Sequence, residues 1–450
     1  MYKFFIGTCF FYLYSCLVVS AQEVRSFSLD EALDYAMQNN VQVKDEKLQR
    51  EIALKDVKET TAMGLPQIDA ELNFQRFFDI PAVLIPAEFV GGEPGDFIET
   101  RFGLKYDLLA KGSVNQLIFD GTYIVGLKAA KTYVDFSNKK IDQVRTETRM
   151  TIMETYYACL LSLKNLEIIE KNLNNVSENL KETEKLNEQG FVEALDVDRL
   201  TLSQKKLKNE LAKMKREVAN THKILKFRMG FPMEDSISLS TSLTDLVDQE
   251  QGSSMENNTR SDDEIIQDRV EYKVLMVQKE LAKLDLKRYQ AGYLPSLNGF
   301  FNYQQNAQRN EFNFFDDNQP WFPATILGFS LKVPIFDGLR KSAQTQSARI
   351  EIQRVENQQW ALEEQIKLEI QQNLQAYQSA LESLSFEEES LDLAERIFER
   401  AQRKYDNGVG SSLELNSART DFYSQQSSHL NAVYELLVAR MRLDRTLAKF

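Results

Sequence analysis

Residues 65–75 read Leu65-Pro66-Gln67-Ile68-Asp69-Ala70-Glu71-Leu72-Asn73-Phe74-Gln75, and their rhythm decides the fold. Ile68, Ala70, Leu72 and Phe74 alternate with Gln67, Asp69, Glu71, Asn73 and Gln75, a period of two that describes a strand with one apolar and one wet face. A helical period precedes Leu65-Pro66, so the chain changes from helix to strand at the proline. Leu294-Pro295 repeats the change, with Leu297, Gly299, Phe301 and Tyr303 as the next alternating set.

Working outward from these two points exposes an internal repeat. Ser28-Leu29-Asp30-Glu31 and Ser261-Asp262-Asp263-Glu264 both spell a capping box that opens a helical stretch, and each stretch is expected to run to its Leu-Pro pair. The Leu-Pro pairs lie 229 residues apart, whereas Ile118-Phe119-Asp120-Gly121 and Ile335-Phe336-Asp337-Gly338 lie 217 apart, so the first half carries 12 extra residues in between. Within each half a second strand is expected. Phe102, Leu104, Tyr106 and Leu108 begin one that runs through a bulge near Gly112 to Phe119. Leu327, Phe329, Leu331, Val333 and Ile335 mark the other. The connections, Phe77 to Thr100 and Gln305 to Thr325, are rich in aromatic residues and proline, which suits strand ends at a membrane interface.

Long helices account for the rest. Thr122 to Gln189, Glu193 to Arg228, Leu339 to Asn407 and Ser411 to Lys449 contain no Pro and almost no Gly. Leu415, Phe422, His429, Leu436 and Leu443 are seven apart, with Ala418, Ala432 and Ala439 at complementary positions. Val197, Leu211, Val218 and Leu225 repeat the pattern with Leu200, Leu207 and Met214. Narrow seams of this kind pair helices edge to edge. The sequence thus divides into a signal peptide (1–21), a first repeat (22–230), an acidic linker (231–260) and a second repeat (261–450). Strands are expected at about 66–77, 100–119, 295–304 and 325–336, and hairpin tips near 190 and 408. The fold class is α+β and mostly helical, each repeat holding two amphipathic strands and long coiled-coil helices.

The N-terminus reads as a secretory signal: a basic start at Lys3, an apolar run from Phe4 to Val19, and Val19-Ser20-Ala21 before a mature Gln22. Lipid on Cys16 is the rival reading, disfavoured by bulky Tyr14 and by the apolar run continuing past the cysteine. Cleavage after Ala21 leaves Cys159 as the sole cysteine, a small apolar residue in a helix. A charge of −13, from 54 basic and 67 acidic residues with no basic face, argues against nucleic acid as a partner. No phosphate loop, His-Glu-x-x-His, Cys-x-x-Cys or Gly-x-Ser-x-Gly string occurs, and His222 and His429 read as helix packing. No catalytic residue, cofactor or metal site is expected, and function must come from shape.

Geometry then constrains assembly. Four strands cannot close a transmembrane barrel, which begins at about eight, and an open edge in lipid leaves amides without partners. Oligomerisation supplies the missing strands; three copies give twelve. The doubled order of Ser28-Leu29-Asp30-Glu31-Ala32-Leu33 with Ala36 and Asn39-Asn40, the two Leu-Pro pairs, the two Ile-Phe-Asp-Gly signatures and the tips after Gly190 and Gly408 resembles the TolC-type outer membrane efflux proteins. The resemblance implies a homotrimer with a 12-stranded β-barrel in outer-membrane lipid and a periplasmic α-helical barrel, in a Gram-negative bacterium. It further implies a channel for efflux or type I secretion that docks a periplasmic adaptor and an inner-membrane pump. A periplasmic adaptor would carry one hairpin and a Gly-rich domain rather than two hairpins with strands. A secreted structural coiled coil would leave the alternating strands unused.

Two sets of site residues follow. Gly190, Phe191 and Val192, with Gly408, Val409 and Gly410, form tips expected to meet the adaptor, since each carries an exposed apolar residue beside a glycine. Asp196 and Glu414 each lie six residues beyond a tip glycine, where the resembled family narrows its closed tunnel; three chains would bring up to six carboxylates around one axis. Both also suit the first turn of a helix as ordinary dipole partners. Tyr405 is placed to latch neighbouring helices, but the position where the family often has a basic partner holds Gly410, so any latch must differ.

Overall fold

Ser28 and Ser261 each accept a hydrogen bond from the amide three residues on, while Glu31 and Glu264 reach back to the serine amides. The computed structural model that contains these capping boxes describes residues 25–243, Leu246 and 260–450. The signal peptide and half of the linker, 244, 245 and 247–259, lie outside the described residues. In chain order the elements are β1 (Arg25–Phe27), α1 (Leu29–Asn39), α2 (Val41–Ala62), β2 (Gln67–Arg76), β3 (Ala82–Pro86), β4 (Phe97–Arg101), β5 (Tyr106–Phe119), α3 (Gly121–Glu188), α4 (Ala194–Met229) and β6 (Ile237–Leu239). The second half continues with α5 (Asp262–Asp268), α6 (Val270–Ala291), β7 (Ser296–Arg309), β8 (Phe322–Lys332), α7 (Arg340–Asp406) and α8 (Ser412–Thr446).

The chain divides into two compact units, and each draws on both repeats. One comprises Met1–Lys44, Arg145–Thr259 and Ile370–Phe450; the other comprises Asp45–Val144 and Arg260–Glu369. In the first, β1 and β6 form a short parallel ladder. Beside it, Phe27, Ala36, Ile152, Tyr156, Leu225, Met229 and Leu436 build the largest core. Tyr156 Oη is satisfied by donating to the Phe27 carbonyl at 2.8 Å. Cys159 sits in this core, and burial pushes its thiol up to about 11. The heptad positions Leu415, Ala418, Ala432, Leu436, Ala439 and Leu443 are buried as their spacing requires, as are Leu200, Leu207 and Leu225.

The second unit holds an antiparallel sheet in the order β2-β5-β7-β8. Its strands depart from the sequence expectation in definite ways. The strand expected over 100–119 begins at Tyr106, because Gly103 (φ +147°) turns the chain and the Phe77 amide closes onto the Lys105 carbonyl. Residues 97–101 pair instead with β3, from Ala82 opposite Arg101 to Pro86 opposite Phe97, so the expected loop at 77–100 contains a hairpin of its own. Gly112 keeps regular register between Ala70 and Tyr303. The irregularity lies between Leu117 and Phe119, where the Gln116 side chain takes the Leu117 carbonyl. β7 runs past 304 to Arg309. β8 starts at Phe322 and stops at Lys332 rather than 336, since Pro334 has no amide for the ladder.

The two helical stretches before the Leu-Pro pairs are likewise interrupted, at Asn40 and at Arg269. Asn40 leaves helical geometry (ψ 133°) and its side chain repairs the break. Oδ1 accepts from the Gln42 and Val43 amides while Nδ2 donates to the Arg228 carbonyl at 2.7 Å. Arg269, buried, pairs with Glu271 and with Glu369. The Ile-Phe-Asp-Gly signatures also act differently in the two halves. Asp120 caps α3 by accepting from the Thr122 and Tyr123 amides, and a Cβ at Gly121 would meet the Leu294 and Ala291 side chains at 3.0 and 3.2 Å. In the second half Asp337 accepts from the Lys341 amide, and Gly338 supplies a positive φ of 69°.

Candidate functional site

Residues directly opposite in a ladder share a face, so the register assigns the two sides of the sheet. One face stacks the rows Ile68–Val114–Phe301–Leu327, Ala70–Gly112–Tyr303–Thr325 and Leu72–Ala110–Gln305–Pro323, with Phe329 opposite Gly299 and Leu331 opposite Leu297. The other stacks Asp69–Ser113–Asn302–Ile326, Glu71–Lys111–Gln304–Ala324 and Gln67–Asn115–Phe300–Gly328. The apolar face is uncovered: Leu327 and Phe329 are 74% and 71% exposed. β2 and β8 are the edges, and among the described residues no strand pairs with their outer sides. At the far end of the apolar face Phe74, Tyr106, Phe312, Phe314 and Trp321 form one aromatic group, within which Phe314 is buried beside Leu108 and Ala307. Arg309 anchors the connection by donating to the Pro320 carbonyl.

The tips belong to the other unit. Gly190 (φ +78°) and Gly408 (φ +73°) both occupy the left-handed region that the turn needs, and the Phe191 and Val409 amides close back onto the Leu186 and Lys404 carbonyls. Phe191 and Val409 stand out, 77% and 80% exposed, while the Val192 carbonyl accepts from Asn187 Nδ2. Gly410 is a packing requirement: a Cβ there would lie 2.9 Å from Lys404 Cβ and 3.0 Å from the Tyr405 amide nitrogen. Asp196 Oδ1 accepts from Ser412 Oγ at 2.7 Å, which places the two tips side by side, and it pairs with Arg199 at 3.6 Å. Glu414 pairs with Lys404 across its own tip at 2.8 Å and its amide donates to the Ser411 cap. Tyr405 packs against Ala401, Leu415 and Ala418.

The structure sets both acids beside the tips and gives them partners that sequence reasoning missed, Arg199, Ser412 and Lys404. Ser411, three before Glu414, caps α8. Among the described residues no group of His, Cys, Asp or Glu is placed to hold a metal ion, and no helix is long and apolar enough to cross a membrane.

Residues 275–449 match the family model described as outer membrane efflux protein. The matched segment lies within the second repeat. The solved structures of this fold include CusC, at 17% identity and a TM-score of 0.74, over 93% of this chain and 91% of that one. The outer membrane protein VceC of Vibrio cholerae shares 15% identity at a TM-score of 0.69, over 93% and 96% of the two chains. The outer membrane channel CmeC of Campylobacter jejuni shares 15% identity at 0.70, over 93% and 85%. The fold shared with these structures extends through the first repeat as well as the second. A search among curated proteins finds no match.

Proposed function

We propose that three copies of this chain form an outer-membrane channel for efflux or type I secretion. The observation that carries the proposal is the four-stranded sheet with one apolar face, one polar face and two unpaired edges. An apolar face that is exposed suits hydrocarbon, and edges in hydrocarbon must be paired. Twelve strands from three copies remove every edge by joining β8 of one copy to β2 of the next, with the polar rows lining the lumen. The aromatic group at the sheet's end suits the headgroup region.

In this reading the helical hairpins continue the passage as a barrel in the periplasm. Phe191 and Val409 offer apolar contacts to the periplasmic adaptor, which connects the channel to an inner-membrane pump. Asp196 and Glu414 narrow the periplasmic mouth, their charges offset by Arg199 and Lys404. No resident cofactor or catalytic group takes part; energy for transport comes from the pump.

The test is membrane fractionation after chemical cross-linking in cells. The proposal expects the mature chain in the outer membrane as a cross-linked trimer that becomes monomeric only on heating. A monomer in the soluble periplasmic fraction would overturn it.

A further inference from the structure

In the unit that holds the tips, Gln204 of α4 donates to Ser177 of α3, while α8 meets α7 through the stacked rings of Phe422 and Phe398 and through Gln425, which donates to Glu387. Asn175 of α3 donates to Tyr423 Oη of α8, so these two helices adjoin. α4 and α7 are left as the flanks, and their charge is sorted. Residues 205–216 of α4 hold six bases and one acid, a net charge of +5. Residues 382–395 of α7 hold six acids and no base, a net charge of −6. The helices between them are neutral at that level: 164–175 of α3 holds two charges of each sign, and 423–434 of α8 has no Asp, Glu, Lys or Arg.

The two charged bands stand at one height. The basic band begins 15 and ends 26 residues from Gly190, the acidic band 13 and 26 residues from Gly408. The bond from Ser412 to Asp196 holds the two tips side by side, so at 1.5 Å rise per residue both bands lie roughly 20–40 Å from the tips. Within one copy the charges are mostly unpaired. All six bases are exposed, as are all the acids except Glu387. Among the described residues, Lys215 alone of the bases has an ion pair, with Glu170 of α3, and Asp392 alone of the acids, with Arg396 of its own helix. Phe386 and Leu393 stand out between the acids, 66% and 51% exposed.

We infer that α4 of one copy docks on α7 of the next along these bands, in a contact selected by opposite charge. The inference rests on the three-copy channel proposed above. Joining α4 to α4 sets +5 against +5, and joining α7 to α7 sets −6 against −6, so both symmetric pairings of the flanks are opposed. Pairing α4 with α7 sets unlike charges together. Such a head-to-tail contact closes into a ring, as a tube requires. Exposed ion pairs contribute little singly, so the bands fix partner and register rather than strength. The same contact covers Phe386 and Leu393.

A zero-length carbodiimide, which couples a lysine amine to a carboxylate in direct contact with it, is the probe, applied to the purified mature protein with no adaptor present. Boiled gels should show covalent dimer and trimer, and mass spectrometry should find peptides from 205–216 joined to peptides from 382–395. The variant Lys205→Arg/Lys206→Arg/Lys208→Arg/Lys213→Arg/Lys215→Arg keeps the charge and removes the amines. Its unheated trimer should persist while the linked peptides and covalent bands are lost. An intact wild-type trimer without these links, or bands that survive in the arginine variant, would overturn the inference and leave the channel reading standing. So would coupling of the α4 lysines to an adaptor in cells but to no second copy. A protein that is monomeric before treatment would overturn both.

Discussion

Leu327 is the central residue of β8, which spans Phe322–Lys332. Eleven residues at a rise of roughly 3.4 Å cover about 34 Å along the strand, and a tilt near 45° reduces this to roughly 24 Å of membrane thickness. That matches the apolar band of about 25 Å in outer-membrane barrels, so in the proposed barrel Leu327, on the exposed apolar face opposite Phe301, would lie near the midplane. Arginine at that depth costs about 2–4 kcal/mol per chain, or roughly 6–12 kcal/mol for a trimer. Ile326 is its neighbour at almost the same depth on the polar face, in the row with Asp69, Ser113 and Asn302. Leu327→Arg should therefore abolish or severely reduce heat-resistant trimer on unheated gels. Ile326→Arg, facing water and Asp69's row, should assemble near wild-type levels. Leu331→Arg, one residue from the strand end, should cost about 0–1 kcal/mol. If Ile326→Arg blocked assembly while Leu327→Arg did not, the assignment of lipid and lumen faces would be reversed.

Three further outcomes follow from the local geometry. Asp120→Ala removes the cap of α3 and should destabilise the protein by about 1–2 kcal/mol. Burial opposes ionisation of Asp120, but hydrogen bonds from Thr122 and Tyr123 outweigh it and hold its pKa below the usual 3.8, so its stabilisation is present above that pH and is lost as pH falls below it. Denaturation curves at pH 7 and pH 3 should show the wild-type advantage over the variant shrinking at the lower pH; an unchanged gap would rule out the charged cap. Phe191→Ala should leave trimer yield intact and reduce efflux of a dye by an order of magnitude, whereas normal efflux would remove this tip from the docking proposal. Asp196→Asn combined with Glu414→Gln should lower cation selectivity and block by divalent ions in single-channel recordings. Unaltered currents would leave the two acids as helix-terminal partners of Arg199 and Lys404.

What could be read in the sequence was whatever its local chemistry states outright. Helices α3, α4, α7 and α8 were visible because they lack proline and nearly lack glycine, and the tips because Gly190 and Gly408 interrupt them. β2 was visible through its strict alternation. The far half of β7 was not, since Gln304–Arg309 is mostly polar and is held in the ladder by its pairing with β5, from Gln304 opposite Lys111 to Arg309 opposite Tyr106. The breaks at Asn40 and Arg269 were also hidden: the helical period continues through both, and what stabilises them is distant, the Arg228 carbonyl in one case and Glu369 in the other. The same holds for Arg419. The heptad places Leu415, Ala418 and Phe422 on the seam and leaves position 419 beside it. Its burial depends on Asn179, 240 residues earlier in the chain.

The number of strands that surround the lumen of the proposed channel is the decisive quantity. Cryo-electron microscopy of the mature protein in lipid nanodiscs would count them and trace their connections. The expected particle has three copies, twelve strands in one closed barrel, and β8 of each copy hydrogen-bonded to β2 of the next. A particle with any other number of copies, or with β2 and β8 unpaired between copies, would contradict the proposal.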